Sequence, residues 1–290
     1  MTAAAVVADA VEVRAATLDD IPGMRGVLAA YGDDDGPDAP IDVIGPALRY
    51  LLGRGSLVVA GDAGQVIGFG GVAWSGFSAH LTDLFILPDR TGGGIGKRLL
   101  AALYPEPGPR TTFGSDDPRA IPLYVRQGMG AWWPNLYLDG PADRLPKPPS
   151  GIGVHPAEAA ELDALEASWT GFSRTGDHTF WASLPEARPF IVTLRDEPVA
   201  IVHARRRRRG EGRWIERAVV APTADPAEPL LAAFVHAAEG GPIAGCIAGP
   251  SPLLPRLLDA GFRVADNDTF MASPGVTVDA DRLMPHPGLL

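Results

Sequence analysis

Four glycines fall within six positions of this 290-residue chain, at Gly92, Gly93, Gly94 and Gly96. Before them, Leu81, Leu84, Phe85, Ile86 and Leu87 make a short, mostly apolar strand that Pro88 ends. After them, residues 97–103 read as a helix with Leu99, Leu100 and Leu103 as its buried positions. A strand that turns through glycines into a helix start aims several main-chain N–H groups at one point. Glycine has no Cβ to block the approach, and the helix dipole adds positive potential. Such a point suits an anion, above all a pyrophosphate, although a plain flexible connector has the same composition. Two phosphate-binding signatures are excluded. A Walker loop needs Ser or Thr after its lysine to hold Mg²⁺, and Arg98 follows Lys97. A dinucleotide fingerprint starting at Gly92 needs a glycine where Lys97 stands. Two polar residues on the strand, Thr82 and Asp83, are adjacent, so alternation is expected to send them to opposite faces.

The stretch resembles the acyl-CoA-binding motif of the GNAT N-acetyltransferases, whose strand reads roughly L-x-V-x-P and whose loop reads [QR]-x-x-G-x-[GA]. Here the strand is Leu84-Phe85-Ile86-Leu87-Pro88 and the loop closes Gly94-Ile95-Gly96-Lys97. One departure is Thr91, which stands where the family has Gln or Arg; Arg90 sits one place early, so Arg90 and Lys97 are candidates for the missing charge. A second motif follows in the right order. Residues 117–129 are similar to the family's N-x-x-A-x-x-L-Y-x-x-x-G-F helix, matching at Ala120, Leu123, Tyr124 and Gly128, with Asp117 for Asn and Met129 for Phe. The resemblance covers residues 11–138 well and the remainder more loosely.

That resemblance implies direct transfer of an acetyl group from acetyl-CoA, a co-substrate, to a primary amine of a small molecule. Main-chain groups near Phe85, Ile86 and Leu87 would hold the pantetheine arm and polarise the thioester. Thr91, Gly92, Gly93, Gly94, Ile95, Gly96 and Lys97 would hold the pyrophosphate, and Asp117 stands at a further cofactor-binding position. Tyr124 matches the family's general acid at the thiol sulfur. Asp83 is the candidate for orienting or deprotonating the amine, or else a charge facing the helix dipole; Asp117 is another possible base or only a helix cap. The alternatives are a CoA- or antibiotic-binding protein without transferase activity (sequestration or resistance) and a transferase of longer acyl groups.

The elements that must position these residues read as follows. Residues 11–14 alternate as a first strand, and Thr17 with Asp20 resembles a capping box before a helix bearing Ile21, Met24, Val27 and Leu28. Residues 32–40 form an acidic loop whose Asp33, Asp34, Asp35 and Asp38 would attract a cationic amine or simply be solvated. A helix over 41–52, strands over 56–60 and 65–74, a strand over 110–113 and an aromatic strand over 130–138 complete the first half. The pattern then repeats. Val58-Val59, Pro88 and Gly128-Met129 recur as Ile191-Val192, Pro222 and Gly261-Phe262, each 133 or 134 residues later. With the resemblance this implies a mixed α/β fold of two tandem GNAT-like domains, each a mostly antiparallel sheet flanked by helices: residues 1–139, a proline-rich linker at 140–153, and 154–290. At the same offset Glu228 stands for Gly94, Leu230 for Gly96 and Leu257 for Tyr124, so the second copy is expected to bind no CoA.

Composition bounds the rest. Hydrophobic content of 46% with 21% charged residues is that of a globular protein. A net charge of −10 argues against a nucleic-acid binder and suits a cationic small molecule. The single cysteine, Cys246, allows no internal disulfide and fits a cytoplasmic location. Residues 3–8 are apolar without a preceding positive region, so no signal peptide is expected, and no run is long enough to span a membrane. The six histidines have no metal spacing, so no metal is expected. The expected assembly is a monomer or homodimer. The arginine run at 205–209 reads as a solvated hairpin tip, a surface for an acidic partner, or a contact to the CoA 3′-phosphate of a neighbouring chain. The polar and aromatic string at 171–181 reads as an interface network or an acceptor contact.

Overall fold

The computed structural model describes residues 11–54 and 56–290; the apolar segment at 3–8 lies outside them. Two compact units emerge: the chain up to Trp74 with Ser78–Arg110, and Ser75–Phe77 with Thr111–Leu290.

In the first unit, β1 (Glu12–Ala15), β2 (Leu57–Asp62), β3 (Gln65–Trp74) and β4 (Ala79–Ile86) pair antiparallel in that order. Ala63 and Gly64, both at positive φ, make the tight turn between β2 and β3. The capping box is present: the Asp20 carboxylate accepts both the Thr17 N–H and its hydroxyl, and a 3₁₀ turn leads into α1 (Ile21–Ala29). Ile21, Met24, Val27 and Leu28 are buried as their spacing predicts. The next helix, α2 (Ile44–Gly53), starts three residues later than expected. The last, α3 (Ile95–Leu103), starts two residues earlier, so Ile95 and Gly96 are helical and buried and the open loop ends at Gly94. Its Ile95 and Leu99 pack with Ala60, Ile67, Leu84 and Ile86.

From Thr111 on, the second unit holds the rest of β5 (Arg110–Gly114), then α4 (Ala120–Val125) and β6 (Gly130–Pro141). It continues through β7 (Ile152–Pro156), α5 (Ala159–Thr170), α6 (Thr175–Ser183), β8 (Arg188–Leu194), β9 (Glu197–Arg206), β10 (Arg213–Val220) and α7 (Ala227–Ala238). Then come β11 (Pro242–Ala248), α8 (Leu254–Asp259), β12 (Arg263–Ala272) and the two-residue β13 (Leu283–Met284). The strand order is β5-β12-β6-β11-β10-β9-β8-β7, with β13 on the edge of β10. These pairings are antiparallel except β10 with β11. Because β12 lies between β5 and β6, the last strands of the two sequence repeats are hydrogen-bonded to each other. Compactness therefore divides the chain near residue 110 rather than at the 140–153 segment, where β6 ends and a 3₁₀ turn at Ala142–Arg144 follows.

The repeat is visible element by element: strand, two helices, three antiparallel strands, helix, strand, short helix, strand, in both halves. Gly128 and Met129 N–H bond to Val125 and Tyr124 carbonyls, and Gly261 and Phe262 N–H bond to those of Leu258 and Leu257. That identity of turns puts Leu257 at the place of Tyr124. The fold is thus a mixed α/β, mostly antiparallel sheet flanked by helices, built twice.

Candidate functional site

The hydrogen-bond phase of β4 decides what its edge can bind. Leu87 N–H donates to Ile67 C=O at 2.8 Å, so Leu87 is engaged with the β3 side, contrary to the expectation that its amide is available. In an antiparallel ladder bonding alternates from residue to residue. Phe85 therefore also faces β3, and Ile86 and Leu84 direct N–H and C=O away from it. Side chains alternate as well: Leu84 and Ile86 pack against α3, while Phe85 stacks on Phe69 with ring centroids 5.8 Å apart.

Thr82 and Asp83 do not part to opposite faces. Gly71 pairs with Asp83 and Val72 with Leu81, so Thr82 is the extra residue of a β-bulge. The bulge brings the two side chains together, and Thr82 Oγ1 donates to Asp83 Oδ2 at 2.6 Å. Gly71 makes room: a Cβ there would meet Thr82 Oγ1 at 2.6 Å.

Beyond β4, Thr91 Oγ1 donates to Pro88 C=O at 3.0 Å and closes the 3₁₀ turn Pro88–Arg90. Arg90 is paired with Asp62 at 2.7 Å, so it does not replace the missing motif charge; Lys97 is exposed beside the loop. Gly94 ends the loop in the left-handed region (φ 77°), a conformation that strains any residue with a Cβ. A Cβ built at Gly92, Gly93 or Gly94 would meet nothing within 4 Å. The first main-chain bond of α3 is Arg98 N–H to Gly94 C=O, which leaves the N–H groups of Ile95, Gly96 and Lys97 without helical acceptors. Open space, free amides and a helix start coincide, so the residues present fit a pyrophosphate.

The acidic loop is less available than its composition implied. Arg25 grips Asp34 with two hydrogen bonds of 2.7 and 2.8 Å and reaches Asp42 at 3.0 Å. In the second unit Tyr124 is buried on α4. Asp117 accepts the Arg119 N–H at 2.8 Å and its guanidinium, which holds the carboxyl below its ordinary range; its place is that of a turn cap.

The second copy shows how the same parts look when filled. Its bulge falls at Glu216, the counterpart of Thr82. Ala221 N–H donates to Val199 C=O, as Leu87 does to Ile67, so Val220 is the counterpart of Ile86 and points away from β9. There Val220 N–H donates to Arg282 C=O at 2.9 Å, and β13 pairs along Ala218 and Val219. The chain's own backbone occupies that edge. At the helix start, α7 begins at Ala227, so Pro226 rather than Glu228 takes the place of Gly94. Asp225 carboxylate accepts the Ala227 N–H at 3.0 Å, Glu228 pairs with Arg256, and Leu230 is buried in the core.

From the string at 171–181, Arg174, Asp177, His178 and Trp181 enter a buried network within the second unit. Arg217 donates twice to Glu166 at 2.7 Å; His178 lies between Glu166 (3.0 Å) and His203 (2.8 Å). Arg174 holds Asp177 at 2.9 Å and, with Arg217, the Leu290 carbonyl. Trp181 packs against both guanidiniums. Burial opposes ionisation of Glu166, yet Arg217, His178 and Arg174 outweigh it and hold the carboxyl below its ordinary range. Of the arginine run, Arg205 is buried on Glu216, Arg206 pairs with Glu186 and Arg207 with Asp139. The run is therefore largely neutralised. Two participants had no motif to announce them: Tyr31, whose hydroxyl bonds to the Ile86 carbonyl, and residues 282–290.

Among the described residues, no helix is long and apolar enough to cross a membrane, and no group of three His, Cys, Asp or Glu could hold a metal. Residues 53–128, which contain β4, the glycine turn and α4, match the Acetyltransferase (GNAT) domain. No curated protein matches the chain. Among solved structures, it is similar to a putative acetyltransferase from Pyrococcus horikoshii, at 16% identity and a TM-score of 0.69, covering 97% of this chain and 94% of that one. It is also similar to a tandem GNAT protein from the clavulanic acid biosynthesis pathway (14% identity, TM-score 0.62, 93% and 100% covered). A GCN5-related N-acetyltransferase from Kribbella flavida matches at 14% identity and a TM-score of 0.61, with 90% and 70% covered. At these identities the structures speak for the fold alone. Residues 53–128 thus carry a GNAT-type acetyltransferase domain, and the fold of the whole chain is similar to that of a tandem GNAT protein.

Proposed function

We propose that the first copy is an N-acetyltransferase that moves an acetyl group directly from acetyl-CoA to the primary amine of a small molecule. The observation that carries this reading is the contrast between the copies. The outward edge of β4 continues into a bare glycine turn and a helix start with free amides, whereas the same edge of β10 is paired by β13 and its helix start is capped by Asp225. Pantetheine is peptide-like, and the pairing of β13 on β10 shows how an amide-bearing chain lies along such an edge. Acetyl-CoA supplies an activated acyl group and a thiolate leaving group.

The chain's own residues do the remainder. Ile86 and Leu84 main-chain groups align the arm, and Gly92, Gly93 and Gly94 with the Ile95–Lys97 amides take the pyrophosphate. Asp83, with one oxygen fixed by Thr82, orients the amine and accepts its proton, directly or through water. Tyr124, by its place in the motif, donates a proton to the departing sulfur. The acceptor is a small molecule rather than nucleic acid or membrane, which the net charge of −10 and the paired arginine run support. A CoA-binding protein without turnover is favoured by one feature, the loop's thin charge, since Arg90 is held by Asp62. Free-thiol release from acetyl-CoA with a panel of primary amines separates the two. Amine-dependent release at a rate well above hydrolysis is expected; tight binding with no release for any amine would reject the transferase.

A further inference from the structure

Tyr31 hydroxyl donates to the Ile86 carbonyl at 2.6 Å. That carbonyl belongs to the outward edge of β4, and the counterpart residue in the second copy, Val220, is the one whose outward main chain bonds the residues leading into β13. Tyr31 is placed there by a braced turn. Its N–H bonds to Leu28 C=O at the end of α1, Asp33 N–H bonds to the same carbonyl, and the loop beyond is anchored by Arg25 on Asp34. The ring sits edge-on to Phe85 with centroids 5.5 Å apart. Tyr31 itself is 41% exposed.

We infer that Tyr31 is a latch on the carrier's arm site: its hydroxyl occupies the Ile86 carbonyl that an amide N–H of the arm would use. Binding then exchanges one hydrogen bond for another and moves the phenol aside. The inference rests on the acyl-CoA reading of this edge. The hydroxyl is bonded to β4, ahead of the glycine turn, so the latch opposes the arm rather than the diphosphate end.

The test is calorimetry on the wild type and Tyr31→Phe with two probes, CoA and 3′-phosphoadenosine 5′-diphosphate, which is CoA without its arm. The variant keeps the ring and removes the donor hydroxyl. CoA is expected to bind Tyr31→Phe about two- to tenfold more tightly, the worth of one exchanged hydrogen bond. The armless probe is expected to bind both proteins equally, which also reports that the variant is folded. An unchanged or weaker CoA affinity in the variant would overturn the latch. So would a gain shared by both probes, because it would not come from the arm. Failure of both probes to bind the wild type is a different outcome: it rejects the acyl-CoA reading itself, and the latch with it.

Discussion

At the scale of single residues, the site depends on which polar groups are already engaged. Thr82 fixes one oxygen of Asp83, Arg25 removes Asp34 from the acidic loop, and Asp62 removes Arg90 from the glycine turn. Composition showed the charges, but each pairing depends on a bulge, a loop or a neighbouring strand that brings the partners together, so the pairings were not legible there. Tyr124 remains the candidate acid. If it protonates the leaving sulfur, Tyr124→Phe should slow acetyl transfer by about a hundredfold or more while leaving CoA affinity nearly unchanged. The check is the turnover number with a saturating amine against calorimetric CoA binding; an unaltered turnover number would remove Tyr124 from the mechanism.

At the scale of elements, most of the architecture was readable. The helical spacing of Ile21, Met24, Val27 and Leu28 and the Thr17–Asp20 cap landed where the pattern put them, because each is a local signal; the glycine turn did too, except that it closes at Gly94 rather than Gly96. What the pattern missed is non-local. A bulge at Thr82 is defined only by its partner strand, so strict alternation misplaced Thr82 relative to Asp83. The two-residue shortening of the loop before α7 slipped the expected equivalence from Pro226 to Glu228. The placement of β12 between β5 and β6 has no sequence signature at all. The glycine turn offers a clean probe. Gly94 is at φ 77° and Gly92 at 97°, so side chains there strain the backbone. Gly93 has neither constraint, and a Cβ at that position meets nothing, so Gly93→Glu adds charge and bulk without disturbing the fold.

At the scale of the whole molecule, one copy of the fold keeps a bare glycine turn beyond β4, and the other has the corresponding edge paired by β13 and also carries buried ionic groups. Those buried groups predict a pH dependence. Burial and the neighbouring charges hold His203 well below its ordinary 6.5. Glu216 is held down to about 2 against an ordinary 4.5, since burial is outweighed by Arg205 and His286. Both folded values are depressed, so both contributions are present above the unfolded values and disappear as pH falls. Stability should decline from about pH 6.5 through His203, then further between 4.5 and 2 through Glu216. Each group adds a slope of about 1.4 kcal/mol per pH unit within its window. Denaturant titrations across pH 3 to 8 check it, and a His203→Gln variant with an unchanged slope between pH 5 and 6.5 would refute that assignment. The central claim, that only the first copy grips an acyl carrier, is tested most directly by calorimetric titration of the wild type and Gly93→Glu with CoA. The account predicts one site per chain in the wild type and at least about a tenfold loss of affinity in the variant, with its melting temperature unchanged. Two sites per chain, no heat at all, or undiminished binding by Gly93→Glu would contradict it.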